Sequence, residues 1–174
     1  MRKIVLLVFV CVVFTTMATA QRRDNQMWFK QAIGLRYEAL DGGWAGISYE
    51  RFFTIRSSFE IMGLGYFAEG LEAAGFYKFT GVFPGTTSQF RYFLGPGVHI
   101  ASWYNAKPKD PFVVGIDAMF GLGFVFFNLP IGISVDWRPT LDLYTQNPLK
   151  REDMAKRFDP ERLGITVRYT MNHM

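Results

Sequence analysis

A period of two residues runs through most of this chain and constrains its fold more than any other feature. In the first run the small or charged positions are Lys30, Ala32, Gly34, Arg36 and Glu38. The positions between them are largely apolar. Successive side chains of a β-strand point to opposite faces, so this pattern predicts strands with one polar and one apolar face.

The stretch GIDAMFGLGFVFFNLPIGISVDW, at residues 115–137, tests this interpretation. It is apolar enough to cross a membrane as a helix, yet it contains Asp117 and Asp136. When it is divided into two strands at the turn near NLP, both carboxylates fall on the small and polar face. We therefore expect the two carboxylates to face a different medium from their apolar neighbours.

Eight such runs are predicted as strands, at residues 28–40, 44–54, 58–68, 71–82, 88–104, 112–127, 131–145 and 161–171. Each supplies the ~9–11 residues that a tilted transmembrane β-strand needs. Connections are short after the second, fourth and sixth strands and longer after the fifth and seventh, as in outer-membrane barrels. The predicted fold class is all-β, an eight-stranded antiparallel transmembrane up-and-down β-barrel.

Residues 1–20, MRKIVLLVFVCVVFTTMATA, have the organisation of a secretory signal peptide. Arg2 and Lys3 precede an apolar run that is shorter than the ~20 residues of a membrane-spanning helix, which disfavours a signal anchor. We expect cleavage before Gln21, export, and a single barrel domain at residues 21–174. Cys11 is the only cysteine, so the mature chain would carry no thiol or disulfide.

Composition excludes several other classes of protein. Aromatic residues make up 17% of the chain and glycine accounts for 17 residues. No uninterrupted apolar run of ~18 residues follows residue 20, which disfavours a helical membrane protein. The charges of the mature chain are nearly balanced and form no long basic run, so nucleic acid is not an expected partner. No cofactor and no metal site is predicted.

The charged face fits the inside of a membrane barrel or the outside of a soluble, lipocalin-like ligand carrier. Both signs of charge are interspersed with glycine on this face, which favours a narrow interior where charges must find partners. The predicted interior network comprises Arg36, Glu38, Glu50, Glu60, Glu72, Lys78, Arg91, His99, Asp117, Asp136, Arg138 and Arg168.

The apolar face is predicted to carry aromatic residues at both rims, as in the girdles of membrane barrels. One rim would hold Trp28, Phe53, Phe79 and Phe126, and the other would hold Trp44, Trp103 or Tyr104, and Tyr144. A soluble barrel has no physical reason for such girdles, so the membrane barrel is favoured.

The last strand carries a pattern recognised during insertion of outer-membrane barrels. In RLGITVRYTM, Arg162, Gly164, Val167 and Tyr169 fit polar-x-Gly-x-x-hydrophobic-x-aromatic. The match predicts the barrel-insertion machinery as a partner. Five residues follow Tyr169, whereas many such proteins end on the aromatic residue.

The segments GGWAGISYERFF, GPGVHIASW, VGIDAMFGL, PIGISVDWRPTLDL and GITVRYTM resemble the small outer-membrane β-barrel proteins of Bacteroidetes bacteria. These are eight-stranded, OmpA/OmpX-like or porin-like barrels, mostly without assigned activity. The resemblance covers most of the mature chain and includes no catalytic signature. It implies a monomer in the outer membrane of a Gram-negative cell, with outer-membrane lipids and lipopolysaccharide as partners and a structural or surface-interaction role in the envelope.

A lipid A-modifying enzyme is an alternative, because the segments also resemble barrels of the lipid A deacylase type. That type uses a His-x-Ser pair and an acid on the lipid-facing wall. Here the serine nearest to His99 is Ser102, and residues three apart on a strand point to opposite faces. We therefore predict no catalytic residue and expect His99 to be hydrogen-bonded in a polar interior.

An open channel is also disfavoured, because side chains fill the interior of an eight-stranded barrel. A basic cluster in the last long loop, Lys150, Arg151, Lys156 and Arg157, is predicted to contact lipopolysaccharide phosphates. Pro96 and Pro139 fall inside predicted strands, where a closed barrel has no free edge for a missing N–H. We expect bulges at these prolines, or a position of Pro139 beyond the bilayer.

Overall fold

A computed structural model describes residues 29–39, 43–66, 70–83, 89–104, 112–126, 129–145 and 158–171. Its strands are β1 (Gln31–Ala39), β2 (Trp44–Phe52), β3 (Ser57–Tyr66), β4 (Gly70–Val82), β5 (Phe90–Trp103), β6 (Phe112–Val125), β7 (Ile131–Trp137), β8 (Thr140–Thr145), β9 (Phe158–Asp159) and β10 (Leu163–Met171). Each lies within, or within a few residues of, a predicted strand. Among the described residues, no helix has the length and apolar character to cross a membrane.

The strands form one closed antiparallel sheet. Each of β1 to β6 pairs with the next strand along the chain, β6 pairs with both β7 and β8, and β10 pairs with β7 and with β1. A short interruption at Arg138 and Pro139 separates β7 from β8, so these two strands together form one strand of the wall. In the same way, the short β9 pairs with β8 and precedes β10 along the chain. The barrel wall therefore has eight strands, and the predicted eight-stranded antiparallel up-and-down barrel is confirmed.

We call the two ends of the barrel the turn end and the loop end. The turn end carries the connections at 53–56, 83–89 and 126–130, and the loop end carries those at 40–43, 67–69, 104–111 and 146–157. At the first turn, the Thr54 hydroxyl lies 2.6 Å from that of Ser57 and accepts a bond from the Ser57 N–H at 3.0 Å. Such hydroxyl bonds satisfy backbone groups of a tight turn.

The prediction of bulges at Pro96 and Pro139 is wrong. The pairing of β4 with β5 has a gap opposite Pro96 but keeps the same register on both sides, and Pro96 itself pairs with Ala118 of β6. The Pro139 carbonyl accepts a bond from the Ala118 N–H at 3.0 Å. Among the described pairings, the register shifts between Val114 and Gly115 of β6, opposite β8. Strand pairing is interrupted at each proline, but its register is the same before and after the interruption, so the two faces do not exchange.

Side chains alternate between the inside and outside of this wall. In β1, Leu35 and Tyr37 are 72% and 50% exposed, whereas Arg36 between them is 2% exposed. A soluble carrier would need the opposite arrangement, so the lipocalin-like alternative is not supported. Exposed apolar side chains occur around the whole circumference, including Ile33, Ile47, Ile61, Leu71, Val98, Ile100, Ile116, Leu122, Val135, Ile165 and Val167.

The aromatic rims agree with the sequence prediction in part. The exposed members are Phe53, Phe79, Tyr104, Phe126 and Tyr144. Trp44 is a correction: it is 2% exposed and lies inside, with its ring 5.0 Å from that of Trp103 in an edge-to-face contact. The reason is the two-residue period, since Trp44 shares a face with the inward Ser48. Trp28 lies outside the described residues.

Two glycines allow neighbouring strands to approach closely in this narrow barrel. A Cβ atom at Gly46 would fall on the carbonyl of Gly63, and one at Gly95 would fall on the carbonyl of Tyr77. Any side chain at these positions would therefore meet backbone atoms of the adjacent strand. Glycine in a strand often marks such close backbone approach.

We predict that Gly46→Ala lowers the free energy of unfolding by about 1–3 kcal/mol, because the added methyl group forces β2 and β3 apart. Gly63→Ala is the matched control in the adjacent strand, since a Cβ atom there meets nothing within 4 Å. Urea titration of the refolded protein in detergent micelles, followed by tryptophan fluorescence, measures both. Equal losses in the two variants would contradict the close approach at Gly46.

Candidate functional site: the charged interior

The inward positions of the strands collect the charged residues of the chain. All twelve members of the predicted interior network are buried, none more than 8% exposed. With Arg162, which is also buried, the fully buried charges of the described interior are six arginines or lysines and six aspartates or glutamates. Buried charges are costly unless they are paired and hydrogen-bonded, so the arrangement of the partners decides whether the barrel is stable.

A central cluster links three neighbouring strands of the wall, β1, β10 and β7. Arg36 of β1 donates two bonds to the Asp136 carboxylate of β7, at 2.8 and 2.5 Å. Its remaining donors bond Glu38 at 2.8 Å and the Thr166 hydroxyl at 3.0 Å. This forked contact uses the planar geometry of a guanidinium, which favours bidentate pairing with a carboxylate.

An upper cluster lies nearer the loop end. Arg138 bonds Glu72 of β4, and its other terminal nitrogen lies 3.2 Å from Glu38. The second oxygen of Glu72 accepts a bond from Arg162 at 2.6 Å, and Arg162 also bonds Asp159 at 3.1 Å. Through Glu38, this cluster is continuous with the central one.

A lower cluster lies nearer the turn end. Lys78 is 2.7 Å from Glu50 and 2.6 Å from Glu60, and Arg168 bonds Glu60 at 2.5 Å. Ser58 donates to Glu50 at 2.7 Å. Each of the two carboxylates therefore receives more than one donor, which offsets part of the cost of its burial.

His99 is bonded on both sides within the barrel. Its Nδ1 lies 2.6 Å from Asp117 and its Nε2 lies 3.1 Å from Asp142, so neither ring nitrogen is left for a substrate on the outer wall. The second oxygen of Asp117 is buried without a hydrogen-bond partner. Among the described residues, no group of three or more metal-binding side chains occurs.

Apolar side chains fill the rest of the interior. One cluster comprises Trp44, Met62, Leu64, Ala74, Phe76, Phe93 and Met119. Another, at the turn end, comprises Phe29, Ala32 and Phe52. A cavity of about 50 Å³ at the turn end, with Lys78, Arg91 and Arg168 in its wall, is large enough for ordered water.

The sequence analysis did not identify two members of the interior. Arg162 was assigned only to the insertion pattern, although it shares the two-residue period of Arg168 in the same segment. Asp142 shares the period of Asp136, and its carboxylate is 33% exposed. The two-residue period could therefore have identified both residues as inward-facing from the sequence.

The other predicted site residues belong to the insertion pattern and to the basic loop cluster. Gly164 faces inward, where a Cβ atom would collide with the Arg36 guanidinium. Val167 and Tyr169 face outward and are 48% and 58% exposed. The four basic residues predicted to contact lipopolysaccharide, Lys150, Arg151, Lys156 and Arg157, lie outside the described residues.

The barrel is similar to the crystal structure of the N-terminal β-barrel domain of Pseudomonas aeruginosa OprF. The TM-score is 0.61 at 12% sequence identity, and the match covers 80% of this chain and 95% of the OprF chain. No family model and no curated protein matches the chain. At this identity the comparison shows a shared fold and nothing further about activity.

Proposed function

We propose that this chain is an integral outer-membrane protein with a structural or surface-interaction role in a Gram-negative cell envelope. The observation that supports it is the exposed apolar surface around the whole circumference of a closed barrel whose charges lie inside. Soluble monomers rarely expose contiguous apolar patches of more than a few hundred Å². In a bilayer the same surface contacts hydrocarbon.

Closure of the sheet supports the same location. Backbone N–H and C=O groups find no water in the hydrocarbon core, so only helices and closed barrels span it. Here β10 pairs with β1, which leaves the ring of strands without an open edge. The likeness to the OprF barrel domain is consistent with this location.

The proposal extends to export of the chain and to its insertion into the membrane. Residues 1–20 act as a cleaved signal peptide, and the last strand is read by the barrel-insertion machinery. The sequence segments that resemble Bacteroidetes barrels support a source of that kind. His99 points into the barrel, so the lipid A-modifying alternative has no support from its geometry.

The experiment that tests the location is gel mobility, heated and unheated, of protein recovered from the outer-membrane fraction. We expect a heat-dependent shift, because a closed barrel stays compact in unheated detergent. Tyr169→Ser should reduce the amount of inserted barrel, since this outward side chain belongs to the insertion pattern and is 58% exposed. Leu35→Ser, an outward change outside that pattern, is the control. Recovery as a soluble protein without a shift would overturn the proposal.

We further propose that the paired charges and the apolar clusters plug the barrel against steady ion flow. The three clusters occupy successive levels between the turn end and the loop end, and eight strands leave little further space. Porin-like conduction is therefore not part of the proposed role.

Arg36→Met should lower the free energy of unfolding by about 3–5 kcal/mol, because it leaves Asp136 buried without its main partner. The double variant Arg36→Met, Asp136→Asn should recover most of this loss. Urea titration measures stability, and planar-bilayer recording should find no steady conductance in the unchanged protein. Additive losses in the double variant would contradict the pairing, and steady conductance would contradict the plug.

Contact with lipopolysaccharide phosphates is the proposed role of the basic loop cluster. Replacing Lys150, Arg151, Lys156 and Arg157 with Gln should weaken binding of purified lipopolysaccharide at low salt and have less effect at high salt. Replacing the exposed Lys30 and Arg51 at the turn end with Gln is the control. Binding that the four loop changes leave unaltered would remove this proposal.

A further inference from the structure

The outer wall has a groove near the loop end. It spans β2 to β6, is largely open to the surroundings of the barrel, and has a volume of about 640 Å³. Outward-facing residues of its lining include Ala45, Gly63, Gly65, Ala73, Ile100 and Phe112. This volume is within the range of about 300–1,000 Å³ that small-molecule sites occupy.

Small residues on adjacent strands create the depression. A Cβ atom placed at Gly63 would meet no atom within 4 Å, so the floor of the groove is open space. Around it the wall carries long side chains, with Ile47 63% exposed and Leu71 53% exposed. The groove is therefore a shaped recess within an otherwise filled apolar surface.

We propose that this groove binds one acyl chain of a lipopolysaccharide molecule. The inference rests on the proposed membrane location, because only there does the outer wall meet lipid. The chain would lie on the small residues of the floor, and its polar end would point to the loop end.

The lining matches hydrocarbon in polarity and length. Among the described lining residues, no charged side chain faces the groove. Glu72 borders it, but its carboxylate is buried in the barrel and bonded to Arg138 and Arg162. Neighbouring strands are ~4.8 Å apart, so a groove across five strands is about 19 Å long. Because the strands of membrane barrels tilt by about 35–45°, a groove of this length rises about 11–13 Å along the membrane normal, within the ~15 Å that the lipid chains of one leaflet fill.

Van der Waals packing explains why an acyl chain would favour the groove over the bulk lipid. Apolar association inside a bilayer depends on van der Waals contact, since lipid chains are as apolar as the protein wall. A rigid recess left unfilled deprives its lining atoms of contact partners. A flexible acyl chain fills the recess, whereas two convex barrels meeting side by side would leave it open.

The position of the groove at the loop end indicates which type of lipid would bind there. Tyr104 and Ser102, which carry hydroxyl groups, line the groove at this end, where the first polar groups of a lipid would be. With the longer loops outside, this end belongs to the leaflet that lipopolysaccharide forms.

The test is photo-crosslinking in vesicles of lipopolysaccharide and phosphatidylethanolamine, with a diazirine on the acyl chains of one lipid at a time. We expect labelled lipopolysaccharide to modify groove positions about fivefold more than outward positions of β1 and β10, which corresponds to about 1 kcal/mol. Gly63→Leu and, separately, Ala73→Leu should remove this enrichment by filling the groove. Gly75→Leu, on the same wall outside the lining, is the matched control.

Each outcome decides a different question. Uniform labelling of the whole apolar wall would overturn the groove site and leave the membrane location standing. Absence of labelling anywhere on the wall would overturn both. Enrichment that persists in both filled variants, enrichment only with phosphatidylethanolamine, or crosslinks between two copies through the groove would each overturn a lipopolysaccharide chain as the occupant.

Discussion

The hydrogen bonds between β1 and β10 turn a sheet into a closed wall with two unlike faces. Once the wall is closed, every second side chain must fit a narrow interior and every other one must face the surrounding medium. The inward face of this chain is charged, so the interior must provide a partner for each charge. The outward face is apolar, which fits the proposed contact with the hydrocarbon of a membrane.

Pairing of the buried charges links strands that are far apart in the sequence. Arg36 and Asp136 are 100 residues apart, and Glu60 and Arg168 are 108 residues apart. Such contacts form only when the first and last parts of the chain are in place together. The ion pairs therefore favour the complete barrel over partly assembled sheets, in which the same charges would lack partners in an apolar surrounding.

Much of the fold could be predicted because the two-residue period is a local property. It identified the strands, their inward residues and the burial of Asp117 and Asp136. The choice of partner for each charge could not be predicted, because it depends on the tilt and register of all eight wall strands. The position of Trp44 could have been predicted from its period, but the expectation of aromatic rims took precedence over it. The outer groove was not visible in the sequence because its small residues lie on different strands.

Tryptophan residues occupy two contrasting surroundings in the described barrel. Trp44 and Trp103 meet inside the wall, whereas Trp137 is 42% exposed on the outside, with its N–H bonded to the Pro160 carbonyl at 2.5 Å. Fluorescence emission from the inner pair therefore reports closure of the barrel. Emission from Trp137 reports the medium that surrounds the outer wall. A variant that keeps only the inner tryptophan pair would report the time course of folding. A variant that keeps only Trp137 would report the time course of insertion.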